Sequence, residues 1–178
     1  DSENVKMIDG IMYGISVFVG IVAGIGVTIG VDCFRAKKQN ANDKKNLSFE
    51  IRCNLSKIEK WLELIIELRN YVNSDRINQF SGYFNLSSAI FTTTNKLLQD
   101  GRIYTFLSYD SIEKIQENGT YLSVAGENML SNQIMQHKQV VLNGYMNAKQ
   151  YASNDIDFWD KTLKKCKENF RDILKELE

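Results

Sequence analysis

The 178-residue chain has no proline and one histidine, His137, and its 22 Lys and Arg are balanced by 22 Asp and Glu. Each of these scarcities excludes something. Proline removes a backbone N–H and interrupts helices, so its absence fits long helices joined by short turns. A net charge of zero gives no electrostatic support to direct RNA or DNA binding. The three cysteines, Cys33, Cys53 and Cys166, are far apart and have a single histidine to join them, so the spacing of a structural zinc site is missing. No metal and no other cofactor is expected, and the thiols read as reduced. There is no Gly-rich phosphate loop and no nucleophile elbow, and Gly24-Ile25-Gly26 falls inside an apolar run rather than at a strand-to-helix turn.

That run is the most prominent feature present. Gly10 to Val31, GIMYGISVFVGIVAGIGVTIGV, contains no Asp, Glu, Lys, Arg or His. As a helix it would extend about 33 Å, against about 30 Å for the hydrocarbon core of a bilayer. The expectation is an N-terminal flank over 1–9, a transmembrane helix over 10–34, a charged connector over 35–47 and a cytoplasmic helical bundle over 48–178. The flank is acidic (Asp1, Glu3 and Asp9 against Lys6) and Asp32-Cys33-Phe34 is no small-residue cleavage site, so the run does not read as a secretory signal. Arg35, Lys37, Lys38, Lys44 and Lys45 follow it, which by the positive-inside rule places the N-terminus outside and the C-terminal domain in the cytoplasm.

The small residues of the run fall on two flanks of a bulky stripe. Gly10, Gly14, Gly20, Gly24 and Thr28 make one flank, and Ser16, Ala23, Gly26 and Gly30 the other. Small residues let helices approach closely, and a ring needs two such faces where a dimer needs one. The pattern predicts an oligomeric ring around an uncharged lumen that could gate by dewetting.

Beyond the connector the apolar residues recur at helical spacing. Ile51, Leu55, Ile58, Leu62, Ile65 and Val72 predict a helix over 48–73. Asn85 is positioned to cap a helix over 86–100, and Gly101 to stop it. Residues 102–108 are ambiguous between a strand-like piece and a helical turn. Asp110 is expected to cap a long helical segment running to Ala148, with Gly119 as its break. A last helix from near Ser153 carries Ile156, Trp159, Leu163, Cys166, Phe170, Ile173 and Leu177 as its stripe. Amphipathic helices bury their stripes on one another, so the fold class is all-α.

His137 is the one titratable group with a chemical reading. It shares a helical face with Leu130, Ile134, Val141 and Ala148, as a packed, hydrogen-bonded histidine at the core or a subunit interface would. The sharper reading pairs it with Asn132. General acid–base work on RNA would also need a cation to stabilise phosphate charge, and Asn132 is neutral.

With an N-terminal span, about 140 further helical residues and a degraded Asn132-x4-His137 motif, the chain resembles the membrane accessory proteins of type VI-B CRISPR systems. Their cytoplasmic part is similar to the HEPN fold, whose ribonuclease members carry Arg-x4–6-His. Asn132 stands where the Arg would be, and His137 carries over as the motif histidine. The resemblance implies a homo-oligomeric pore, an octamer, in the bacterial inner membrane. It would depolarise that membrane as an antiviral defence effector, downstream of an RNA-guided RNA nuclease. The alternatives are a membrane-tethered HEPN-type ribonuclease using His137 and a single-span scaffold.

Overall fold

A computed structural model describes residues 2–144 and 147–178, with side chains described from Val31 onward. The elements are helical throughout the described residues. In order they are α1 (Ser2–Asn73), α2 (Thr92–Gln99), α3 (Tyr109–Tyr121), α4 (Val124–Leu142) and α5 (Ala148–Leu177), with 3₁₀ turns at Ile77–Gln79, Leu86–Ser88 and Arg102–Thr105. By contacts the chain forms two units, Asp1–Asn42 and Asp43–Glu178. The second is the bundle.

Among the described residues no helix is long and apolar enough to cross a membrane. This corrects two expectations, the transmembrane helix over 10–34 in the fold class and the single-pass inner-membrane location. The expected span ends at 34, with the charged connector continuing its helix at most in part. In the structure it belongs to α1, whose described part carries a charge every few residues: Asp32, Arg35, Lys37, Lys38, Asp43, Lys44 and Lys45. The side chains expected to pack the span or line a pore (Gly10, Gly14, Ser16, Gly20, Gly24, Gly26, Thr28 and Gly30) lie outside the described residues.

Within the bundle, α1 buries Leu47, Ile51, Ile58, Trp61, Ile65, Leu68 and Val72, and α5 buries the seven residues of its expected stripe. The two helices run antiparallel. Arg52 pairs with Glu178 at 3.3 Å, Glu59 with Lys167 at 2.8 Å, and Arg69 with Asp157, so partners descend along α5 as they ascend along α1. These pairs are partly or largely exposed, and such contacts contribute about 0–1 kcal/mol each. They mark the register. Burial of the stripes holds it, at roughly 1.5–3 kcal/mol per large apolar side chain. The α3 and α4 helices pack against α5. There Trp159 is fully buried, with the Tyr121 ring edge-on at 6.4 Å.

Short helices begin with backbone N–H groups that have no partner inside the helix. Here the long helices supply one from the side. Glu50 on α1, 3% exposed, accepts from the N–H groups of Thr93 (2.6 Å) and Thr94 (3.0 Å) and from the Thr94 hydroxyl (2.7 Å), which caps α2 with a carboxylate. One turn further on, the Asn54 amide clamps Ile90. Its Nδ2 donates to the Ile90 carbonyl (2.7 Å), and its Oδ1 accepts from the Ile90 N–H (2.8 Å). This clamp holds the chain out of helix just before α2. It is why the helix expected over 86–100 divides into a 3₁₀ turn and α2; Asn85 makes no side-chain cap, its Oδ1 accepting instead from the Ser87 hydroxyl at 3.2 Å. Gly101 ends α2 as expected, in the left-handed conformation at φ 69°.

The ambiguous segment is the 3₁₀ turn Arg102–Thr105, anchored by Arg102 on the buried Asp43. Ser108, rather than Asp110, caps α3, accepting from Ser111 N–H at 3.3 Å. Glu176 of α5 accepts in turn from the N–H and hydroxyl of Ser108 and from the Ser111 hydroxyl. The long segment breaks after Tyr121 rather than at Gly119, and Ser123 caps α4. Gly126 makes this junction possible, because a Cβ there would sit 1.9 Å from the Tyr121 carbonyl oxygen. Asn118 and Asn169, both buried, join α3 to α5. Asn118 Nδ2 donates to the Cys166 carbonyl at 3.0 Å and Asn169 Nδ2 donates to Asn118 Oδ1 at 2.9 Å. Among the described residues every buried side-chain nitrogen and oxygen has a hydrogen-bond partner.

Removing the α2 cap strands two N–H groups and a hydroxyl in a buried site. Glu50→Ala is expected to lower the unfolding free energy by about 2–3 kcal/mol, read from urea titration of the purified chain. An unchanged midpoint would mean that Glu50 does not hold α2.

Candidate functional site

The α4 and α5 helices form an antiparallel hairpin closed at Asn143 and Gly144, with Gly144 at φ 70° and Asn147 at φ 71°. Folding the chain here sets Gln133 opposite Trp159 and His137 opposite Asp155. Gln133 Oε1 accepts from Trp159 Nε1 at 2.8 Å, and His137 Nε2 lies 2.8 Å from Asp155 Oδ2. A carboxylate accepts, so Nε2 carries the hydrogen and Nδ1 is the ring nitrogen left for chemistry. The His137 side chain is 12% exposed.

Leu68, Ile77, Leu130, Ile134, Ala152 and Ile156 surround this pair, and the space they leave is about 10 Å³. A single water needs about 10–15 Å³ by the same measure. The space beside the ring on this side is thus about that of one water molecule. Lys138, the nearest cation in sequence, donates to the Phe80 carbonyl and is occupied.

Asn132 and His137 do not come together. Five positions on a helix are about 140° apart, and Asn132 is exposed while His137 turns inward to α5. Of the residues expected on the histidine's face, Leu130 is buried and Ile134 and Val141 are half-buried, whereas Ala148 belongs to the next helix. Sequence reasoning missed Asp155. The turn alone does not select it, since a fold centred on Gly144 would set position 151, rather than 155, opposite 137.

A larger cavity of about 290 Å³ lies beside the hairpin turn, lined by Val72, Ile77, Val141, Ala148, Ala152 and the polar Asp75 and Lys149. Asp75, at φ 57°, ends α1, where Arg76 N–H returns to the Tyr71 carbonyl at 2.8 Å. Lys149 Nζ donates to the Asn73 carbonyl at 2.7 Å and lies 3.5 Å from Asp75. Both polar groups thus serve to close the end of α1. Among the described residues no group of three His, Cys, Asp or Glu side chains converges to hold a metal ion.

Cys166 faces the core, and burial pushes its thiol up to about 12, with the Glu117 charge acting in the same direction. It stays protonated and unreactive at neutral pH. Cys33 is exposed and Cys53 half-buried.

Two measurements check this geometry. His137→Ala is expected to destabilise the chain by about 1–3 kcal/mol, whereas Asn132→Ala stays within about 0.5 kcal/mol of wild type. Alkylation of the folded chain should label Cys33 first and leave Cys166 unlabelled until denaturant is added. Equal costs for the two substitutions, or early labelling of Cys166, would contradict the placement.

Comparison with family models, with curated proteins and with solved structures returns no match, so the geometry of the chain carries the reading by itself.

Proposed function

We propose that the chain is a non-enzymatic, self-assembling effector whose helical bundle is the assembly module. It would serve a bacterial antiviral system of the kind that the sequence resembles, downstream of an RNA-guided RNA nuclease. One observation carries the non-enzymatic part. His137, the only histidine, has its Nε2 bound to Asp155 in a space of about 10 Å³, and Asn132 is exposed away from it. A histidine beside a void of about one water's volume, with its neighbour Lys138 engaged on Phe80 and a carboxylate on one nitrogen, is a tie between helices. The balance of 22 basic and 22 acidic residues gives no support to an RNA substrate. The proposed assembly includes no membrane passage, because among the described residues no helix is long and apolar enough to form one.

Purified full chain at micromolar concentration should leave single-stranded RNA intact, and its mass should correspond to a discrete oligomer. RNA cleavage by wild type that is lost in His137→Ala would overturn the non-enzymatic reading in favour of the ribonuclease. A monomer at every concentration would overturn self-assembly.

A further inference from the structure

Asparagine is chemically labile, most of all before glycine, which has no side chain to shield the next peptide nitrogen from the asparagine amide. The chain contains two Asn-Gly pairs, Asn118-Gly119 and Asn143-Gly144, and the fold treats them in opposite ways. Asn118 lies in the last turn of α3 and is fully buried. Its Nδ2 donates to the Cys166 carbonyl at 3.0 Å, and its Oδ1 accepts from Asn169 Nδ2 at 2.9 Å. Its main-chain carbonyl accepts from the Leu122 N–H at 2.9 Å, which keeps the peptide to Gly119 in the helical orientation. Reaction at Asn118 has to break these contacts in a closed space. Asn143 is exposed and lies just past α4, at φ −85° and ψ 0°, in the bridge region of the backbone map. Its N–H returns to the Gln139 carbonyl at 3.0 Å, and the Gly144 N–H to the Val141 carbonyl at 3.1 Å. Gly144, also exposed, stands at φ 70°, a conformation that glycine adopts at least cost. The residue that lets the hairpin turn is thus the one that leaves the Asn143 amide unshielded.

From this contrast we infer that Asn143 is a site of covalent self-modification, at which the folded chain deamidates. The Gly144 backbone nitrogen attacks Asn143 Cγ. The Cγ–Nδ2 bond breaks, and Nδ2 leaves as ammonia with the proton that the Gly144 nitrogen gives up to solvent. The product is a succinimide ring joining the two residues. Water then opens the ring. Opening at the side-chain carbonyl leaves aspartate, and opening at the main-chain carbonyl leaves isoaspartate, whose main chain is one carbon longer. One water enters and one ammonia departs, and no other reactant is needed. Either product puts a carboxylate at the C-terminal end of α4, where the helix dipole is already negative, so the end of the helix is weakened. It also tips the balance of 22 basic and 22 acidic residues toward acid by one charge. Isoaspartate in addition lengthens the connection across which Gln133 meets Trp159 and His137 meets Asp155. Conversion at Asn143 therefore ages the hairpin that seats α4 on α5.

The test incubates the purified full chain in mildly alkaline buffer made with heavy-oxygen water, beside a second sample held in denaturant. Cleavage after lysine then places Asn118 on peptide 115–138 and Asn143 on peptide 139–149. In the folded chain, peptide 139–149 should gain the mass of an amide converted to an acid with one heavy oxygen, and should become a substrate for isoaspartyl methyltransferase. Peptide 115–138 should convert at least about tenfold more slowly, because reaction there waits for buried contacts to open. In denaturant the two peptides should convert at comparable rates. Asn143→Ala should abolish the signal on 139–149, which separates Asn143 from Asn147 on the same peptide. After conversion the wild-type chain should unfold at a lower urea concentration than before, whereas Asn143→Ala aged in the same way should keep its midpoint. If 139–149 stays intact in the folded chain but converts in denaturant, the turn protects Asn143 and the inference fails. If 115–138 converts as fast as 139–149 in the folded chain, the contrast on which it stands is wrong. A fully converted chain with an unchanged midpoint would overturn the weakening of the hairpin.

Discussion

Burial of the α5 stripe is the constraint on which the rest of the bundle depends. Trp159, Leu163 and Ile173 are fully excluded from water, and α1, α3 and α4 each bury a face on this helix or beside it. Packing of this kind sets which helices are neighbours but leaves their ends unsatisfied, since a short helix brings orphan N–H groups to its start. The long helices meet that need with side chains. Glu50 of α1 caps α2, and Glu176 of α5 accepts from Ser108 and Ser111 at the start of α3. Glu127 of α4 accepts from Ser87 and Tyr83 in the preceding loop, and these hydrogen bonds hold its carboxyl below the usual carboxylate range. A carboxylate depressed in the folded state contributes stability above its ordinary range and loses it as pH falls through the folded value, so the loop tether is an acid-sensitive part of the bundle.

The apolar stripes were legible in the sequence because a helix repeats every 3.6 residues and the stripes of α1 and α5 keep that period. Gly101 was legible as a stop because a left-handed residue ends a helix at least cost when it is glycine. The start of α2 was not, because the decisive side chain is far away along the chain: Glu50 lies 43 and 44 positions from the N–H groups it accepts; at α3 the cap Ser108 is itself local, and only its partner Glu176, 68 positions on, is out of local reach. A local search finds Asn85 and Asp110 instead. The break between α3 and α4 was placed at the wrong glycine for a related reason. Gly119 has no atom within 4.0 Å of its missing Cβ other than the Phe91 ring, whereas Gly126 is pressed against a carbonyl oxygen, and close approach is a tertiary fact.

The candidate site shows the same limit. Motif spacing paired His137 with Asn132, but the helix sets those positions on different faces, and the true partner comes from across a turn. With Asp155 in place, the histidine belongs with Gln133 and Lys138 as one of three ties that orient α4. The transmembrane expectation is overturned on other grounds, since among the described residues no helix is long and apolar enough to cross a membrane. The features that bear on function therefore lie in the bundle: charges on α4 turned inward, an uncharged face turned outward, and a histidine engaged in holding that arrangement.

A double-mutant cycle tests that central claim most directly. His137→Ala, Asp155→Ala and the double variant, unfolded in urea as full chains, give the coupling between the two side chains. The account predicts a coupling of about 1 kcal/mol or more, within the range seen for residues in contact. A coupling near zero would contradict it, because His137 would then owe its place to something other than Asp155.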